Sequence, residues 1–220
     1  MQRIFALFLC MCLACPVYAR AEKYVALTFD DGPSGRYTRR LLDGLQARDV
    51  QATFLLCGYR LEQYPKEAKR IFDEGHEIGL HGFSHRSMAD MDSEQLEREL
   101  ADTLALLPEG CRPVFLRPPG GKSSKILENG AKRAGLGILS WSVDPKDWAS
   151  ADAKAIQETV IRTVRDGDVI LLHDMSDSSV DAALSIIDEL TEQGFTFVTA
   201  AELARLKGIT IQPGRVYTRF

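Results

Sequence analysis

The chain has 220 residues, with 27 Lys and Arg against 31 Asp and Glu and a formal net charge of −4. That acidic balance argues against a general nucleic-acid or anionic-membrane binder, since both want a basic face. The length suits one domain with a large core.

The chain opens on Met1-Gln2-Arg3, runs apolar from Ile4 to Cys15 and reaches Pro16-Val17-Tyr18-Ala19. A basic start, a short apolar run and a small residue at a cut site are the layout of a secretory signal peptide, here residues 1–19. The run is shorter than the ~20 residues a membrane-spanning helix needs, so an uncleaved membrane anchor is the lesser alternative. The expectation is an exported protein, either secreted or held in the cell wall or periplasm, without stable membrane insertion once residues 1–19 are removed. Cys10, Cys12 and Cys15 leave with the signal, and Cys57 and Cys111 remain. A disulfide and two buried thiols are both open for that pair.

Past the signal, short apolar runs read as strands at Tyr24–Phe29, Ala52–Leu56, Glu77–Leu80, Pro113–Arg117, Leu136–Val143, Asp168–Leu172 and Phe195–Val198. Each is mostly apolar, as strands covered on both faces should be. Between them the period changes to that of a helix. Leu96, Leu100, Leu104 and Leu107 line one face, behind a capping box of Asp92 and Gln95. Ile156, Val160 and Val164 repeat the pattern before Gly167, and Leu184, Ile187 and Leu190 before Gly194. Thr199 with Glu202 starts a last helix carrying Leu203 and Leu206. About seven parallel strands with intervening helices predict an α/β fold, a (β/α) barrel that is irregular or incomplete, with a doubly wound open sheet as the alternative. Gly208–Phe220 has no clear periodicity, and both an added strand and a loose end are open.

The unusual polar residues gather after the predicted strands, at the C-terminal strand ends where parallel α/β folds build their sites. Asp30-Asp31-Gly32-Pro33 closes the first strand; His81 and His85 follow the third. Arg117-Pro118-Pro119-Gly120-Gly121 follows the fourth, Asp144 and Asp147-Trp148 the fifth, and His173-Asp174 the sixth. Taken singly, each has a plain structural reading. Asp-Asp before Gly-Pro is turn chemistry, Arg117 could simply pair with a carboxylate, and Trp141 and Trp148 could be core. Of the four histidines, three sit after strands, while His76 beside Gly75 reads as structural. Two imidazoles and a carboxylate make a three-ligand site for Zn²⁺ or a similar divalent metal with room for water, and Asp31, His81 and His85 can supply that set.

In order, these clusters resemble the polysaccharide deacetylases of carbohydrate esterase family 4, the NodB-homology domain. The resemblance covers roughly Tyr24 to Leu206 and includes five motifs: Thr28-Phe29-Asp30-Asp31-Gly32-Pro33, His81-Gly82-Phe83-Ser84-His85, Arg117-Pro118-Pro119-Gly120-Gly121, Asp144-Pro145-Lys146-Asp147-Trp148 and Leu171-Leu172-His173. It implies a catalytic domain over residues 20–220 that hydrolyses N-acetyl groups from an amino-sugar glycan, with peptidoglycan the first expectation and chitooligosaccharide the next.

The resemblance also implies roles. Asp31, His81 and His85 would be the metal ligands, with Zn²⁺ first and Co²⁺ or Mn²⁺ as alternatives. Asp30 would be the general base, held by charge pairing with Arg117, and His173 the general acid. Asp147 would orient His173, with Asp144 as second choice. Trp148 and Leu171 would wall the acetyl pocket, and the Gly120 N–H would help stabilise the oxyanion. Two positions depart from the family pattern: Gly120 stands where an aromatic residue is common, and Gly82 where Ser or Thr is frequent. Neither removes an atom the mechanism requires, so the expectation is an active enzyme with a more open cleft. The rival readings are a carbohydrate-binding protein that has lost catalysis and an amidohydrolase of small non-sugar amides.

Overall fold

The structure, a computed structural model, describes residues 22–220. Residues 1–19, read above as a signal peptide, and their three cysteines lie outside the described residues. Strands β1 (Lys23–Asp30), β2 (Thr53–Leu56), β3 (Glu77–Leu80), β4 (Phe115–Leu116), β5 (Gly137–Leu139), β6 (Val169–His173) and β7 (Phe195–Val198) fall where the apolar runs predict them. Helices α1 (Arg36–Gln46), α2 (Gly58–Gln63), α3 (Pro65–Asp73), α4 (Ser93–Ala105), α5 (Lys125–Arg133), α6 (Ala153–Thr163), α7 (Asp177–Glu192) and α8 (Ala200–Leu206) lie between and after them. The sheet order is β6-β1-β2-β3-β4-β5-β8, where β8 is Val216–Tyr217, and β7 pairs with the first half of β1. Every strand pairing is parallel. One further parallel bridge, Val143 to Ile170, links the segment after β5 back to β6. The fold is therefore an incomplete (β/α) barrel.

Alternation along β1 separates two cores. Val25, Leu27 and Phe29 belong to the layer between sheet and helices, with Leu41, Leu42, Ile186 and Leu190. Ala26 belongs to a second cluster with Leu55, Phe115, Leu139, Val169, Leu203 and Tyr217. Helix α8 and the tail contribute to that cluster, so Gly208–Phe220 is an integral part of the fold. Val216 and Tyr217 pair with Ile138 and Leu139, and the Phe220 N–H donates to the Gly167 carbonyl at 2.9 Å.

Three expectations need correction. The fourth strand is two residues long, because Pro113 has no N–H to give a ladder and the chain turns at Pro118. The fifth ends at Leu139, because beyond it the chain changes neighbours: Ser140 N–H bonds to Tyr217 O, whereas Ser142 N–H bonds to Val169 O. On α4, Leu96 and Leu100 are buried, but Leu104 is exposed and Thr103 takes the inward position; Leu107 lies beyond the helix end. The Asp92–Gln95 capping box is present in both directions. Cys57 and Cys111 are free, buried thiols, so the disulfide alternative falls. Among the described residues, no helix is long and apolar enough to cross a membrane.

Candidate active site

Asp30 and Thr28 share the inward face of β1, and between them and the end of β5 sits the fully buried Arg117. Burying a guanidinium is costly unless its donors are satisfied. Here Nη1 donates to Asp30 Oδ1 at 2.6 Å and Thr28 Oγ1 at 2.8 Å, Nε to Leu139 O at 3.0 Å and Nη2 to Ser140 O at 2.9 Å. The contact with Asp30 leaves Asp30 Oδ2 facing His81 Nε2 at 3.8 Å.

Asp31 is the first residue past β1 and adopts a left-handed backbone, φ 72°. His81 follows β3, and His85 is also left-handed, φ 59°. Such conformations are uncommon outside glycine and persist where surroundings hold them. The loop between the two histidines is pinned on both sides. Gly58 and Tyr59 N–H groups bond to Gly82 and Phe83 carbonyls, and the Glu99 carboxylate accepts from Phe83 N–H, Ser84 N–H and the Ser84 hydroxyl.

The ligand atoms of Asp31, His81 and His85 all lie within 4.8 Å of one another. Asp31 Oδ1 is 3.2 Å from His81 Nε2 and 2.9 Å from His85 Nε2, yet it is buried without a hydrogen-bond donor aligned on it. His81 Nδ1 lies 2.7 Å from the Arg117 carbonyl oxygen, which can only accept. In the neutral ring the proton therefore sits on Nδ1, and Nε2 turns a lone pair toward Asp31. Burial pushes the Asp31 carboxyl up, but when the two facing imidazoles are protonated their hydrogen bonds and charge outweigh burial and hold it below the usual carboxylate range. Asp31 in turn raises His85. Converging lone pairs around an unsatisfied buried carboxylate oxygen fit a divalent cation, and one carboxylate with two imidazoles is a donor set for zinc and its neighbours.

Across the cavity, Asp147 grips His173 at two points. Its Oδ1 is 2.8 Å from His173 Nδ1, and its Oδ2 accepts the His173 N–H at 2.8 Å. Burial pushes His173 down, but Asp147, with smaller contributions from Asp30 and Asp31, raises it to about 9. Asp144 instead accepts the Lys146 N–H at 2.8 Å, so Asp147 and not Asp144 is the carboxylate on His173.

These groups surround a cavity of about 440 Å³ lined by Asp30, Asp31, His81, His85, Gly120, Trp141, Asp144, Trp148, Leu171 and His173. Every site residue expected from sequence lines it, except Arg117 and Asp147, which stand behind Asp30 and His173. Trp148 is 68% exposed, so it is a projecting wall and not core. Beyond it a second cavity of about 460 Å³ shares Asp31, Trp148 and His173. His76 is buried away from the site, where burial lowers it to about 4. Sequence reasoning passes over Glu99 and places Asp174 at the end of the sixth strand without giving it a role. Glu99 is a carboxylate three residues from Leu96 on α4, a signal that was available. Asp174 is fully buried behind the site, and burial pushes it up to about 7.

Comparison with known proteins gives the family. The family model described as polysaccharide deacetylase matches residues 18–139. A peptidoglycan-N-acetylglucosamine deacetylase of Bacillus cereus is 38% identical over 192 residues, covering 84% of this chain and 90% of its own. A chitooligosaccharide deacetylase of Rhizobium leguminosarum bv. trifolii is 31% identical over 192 residues, covering 80% and 89%. A solved family 4 acetyl xylan esterase from Clostridium thermocellum, in complex with a cobalt ion, superposes with a TM-score of 0.84 at 38% identity, covering 90% and 98%. The matched model spans more than half of the chain, and the chain accordingly belongs to the polysaccharide deacetylase family, a family of hydrolytic enzymes.

Proposed function

We propose that the chain is a metal-dependent deacetylase that hydrolyses N-acetyl groups on N-acetylglucosamine-type units of a glycan, with peptidoglycan the first candidate and chitooligosaccharide the second. The observation that carries this reading is the convergence of Asp31, His81 and His85 within 4.8 Å at the rim of a cavity whose other wall carries His173, held from behind by Asp147. The similarity to the B. cereus peptidoglycan deacetylase supports the order of candidates.

Asp31, His81 and His85 would hold the metal, zinc first, with cobalt or manganese as alternatives. When bound, such a cation polarises an acyl oxygen and makes water acidic enough to attack at neutral pH. Asp30 accepts the attacking water's proton at Oδ2, because Arg117 occupies Oδ1. The Gly120 N–H at the cavity wall donates to the developing oxyanion. His173 has Nδ1 committed to Asp147, so Nε2 delivers the proton to the sugar nitrogen as the C–N bond breaks and acetate leaves. Trp148 and Leu171 bound the space for the acetyl methyl. Residues 1–19 would direct export and 20–220 form the catalytic domain, acting outside the cytoplasm on a carbohydrate.

Ester deacetylation of an acetylated xylan is a second reading, favoured by the structural match to the acetyl xylan esterase. Acetate release from purified peptidoglycan, N-acetylglucosamine oligomers and acetylated xylan, with metal-stripped, zinc-reloaded and Asp30→Asn protein side by side, separates the readings. Metal-restored release from an N-acetyl glycan that vanishes in the variant supports the proposal. Release from xylan alone moves the assignment to the esterase, and none from any substrate by folded, metal-loaded protein removes both.

A further inference from the structure

Asp174 follows the last residue of β6 and is fully buried, yet none of the roles above uses it. Its Oδ2 accepts a hydrogen bond from the Thr38 hydroxyl of α1, while Oδ1 has no donor. Its backbone carbonyl accepts from the Ser34 hydroxyl, and Thr38 Oγ1 also accepts the Ser34 N–H at 2.7 Å. Both carboxyl oxygens press on Gly32: a Cβ added there would lie 2.5 Å from Oδ1 and 2.9 Å from Oδ2. On its other side, Gly32 is tied to the end of β2, where Cys57 N–H donates to its carbonyl at 3.1 Å.

The segment between Asp31 and Ser34 is thus held from three elements, and Asp174 supplies the surface on which Gly32 rests. Asp31, immediately before Gly32, has the left-handed backbone that its neighbours must enforce. We infer that Asp174, together with Thr38, is a positioning residue for the Asp31 loop, fixing the Asp31 carboxylate toward His81 and His85. This rests on the reading of those three residues as metal ligands. The action is by shape and hydrogen bonding. A glycine is needed at position 32 because the Asp174 carboxyl occupies the place of a side chain, and supporting groups behind metal ligands typically tune affinity by 10–100-fold.

The test is the zinc dissociation constant, measured by chelator competition on folded protein, with thermal unfolding of the metal-free form as a control for each variant. Asp174→Ala is expected to weaken zinc about 10-fold or more, whereas Asp174→Asn, which keeps the volume and an acceptor for Thr38, stays within about threefold of wild type. Gly32→Ala should weaken zinc in the wild-type background and cost clearly less in the Asp174→Ala background, where the added methyl finds room. Thr38→Val retains the side-chain shape and should lower affinity several-fold; it also carries the test if Asp174→Ala does not fold. Wild-type affinity in both Asp174→Ala and Thr38→Val, or Gly32 and Asp174 effects that simply add, would overturn the inference. Failure of the metal-site reading looks different: wild type and His81→Ala would then bind zinc equally poorly.

Discussion

Asp30 and His173 are register partners at the C-terminal ends of the adjacent parallel strands β1 and β6. Neighbouring positions on one ladder thus carry the proposed base and the proposed acid. Their surroundings separate them: Arg117 bonds the carboxylate of one, and Asp147 bonds the imidazole of the other. Groups of opposite task are commonly prepared by opposite neighbours.

Replacing Asp147 by Asn tests the acid side. Loss of the carboxylate removes the main influence that raises His173 to about 9, so the alkaline limb of the kcat profile should move toward neutral pH. Turnover at neutral pH should fall by about 10²–10⁴, the usual worth of a positioned proton donor. The same pair makes stability depend on pH. Because the folded value lies above the ordinary histidine value of about 6.5, its contribution is complete below that pH and is lost as pH rises through about 9. An unmoved alkaline limb in the variant would separate Asp147 from the protonation of His173.

Asp30→Asn keeps the side-chain volume and removes the proton acceptor. Metal content should remain at the wild-type level while kcat drops by about 10²–10⁴. Metal analysis and turnover on the same sample decide the matter, and a variant with full activity would dismiss Asp30 as the base.

Arg117→Met should destabilise the fold by about 3–5 kcal/mol, because it leaves the Asp30 carboxylate buried without its partner. Coupling it with Asp30→Asn should recover part of that loss. Denaturant unfolding of the two single variants and the double provides the cycle. A single variant within about 1 kcal/mol of wild type would show that the carboxylate finds compensation elsewhere.

Stripping the metal with a chelator should abolish turnover, and stoichiometric Zn²⁺ should restore it. His81→Ala and His85→Ala should lose metal under conditions where wild type retains it. For wild type, metal at 100 times its dissociation constant should stabilise the fold by about 2.7 kcal/mol. A melting temperature indifferent to Zn²⁺, with His81→Ala loading normally, would remove these residues as ligands.

Much of this architecture was legible in the sequence, because a strand covered on both faces is an apolar run and its end is marked by the polar residues that follow. His81, His85, His173 and the Asp30–Asp31 pair lay at such ends and converge in space. Less legible was anything set by partners distant in the chain. Asp147 and Asp144 were equal in type and nearly in position, and only the turn between them decides which reaches His173. Glu99 and Asp174 support loops far from themselves in sequence, so their places on α4 and at the end of β6 were visible but their partners were not. The tail lacked periodicity because two residues of strand, Val216 and Tyr217, are too short to show one.

The Arg117 guanidinium joins the Asp30 carboxylate to the carbonyl groups of Leu139 and Ser140 on the far side of the barrel. The proposed base is therefore tied to two strand ends at once and should not loosen ahead of the rest. Heat inactivation and loss of the folded state should be one event, and residual activity after a thermal challenge should count the molecules still intact.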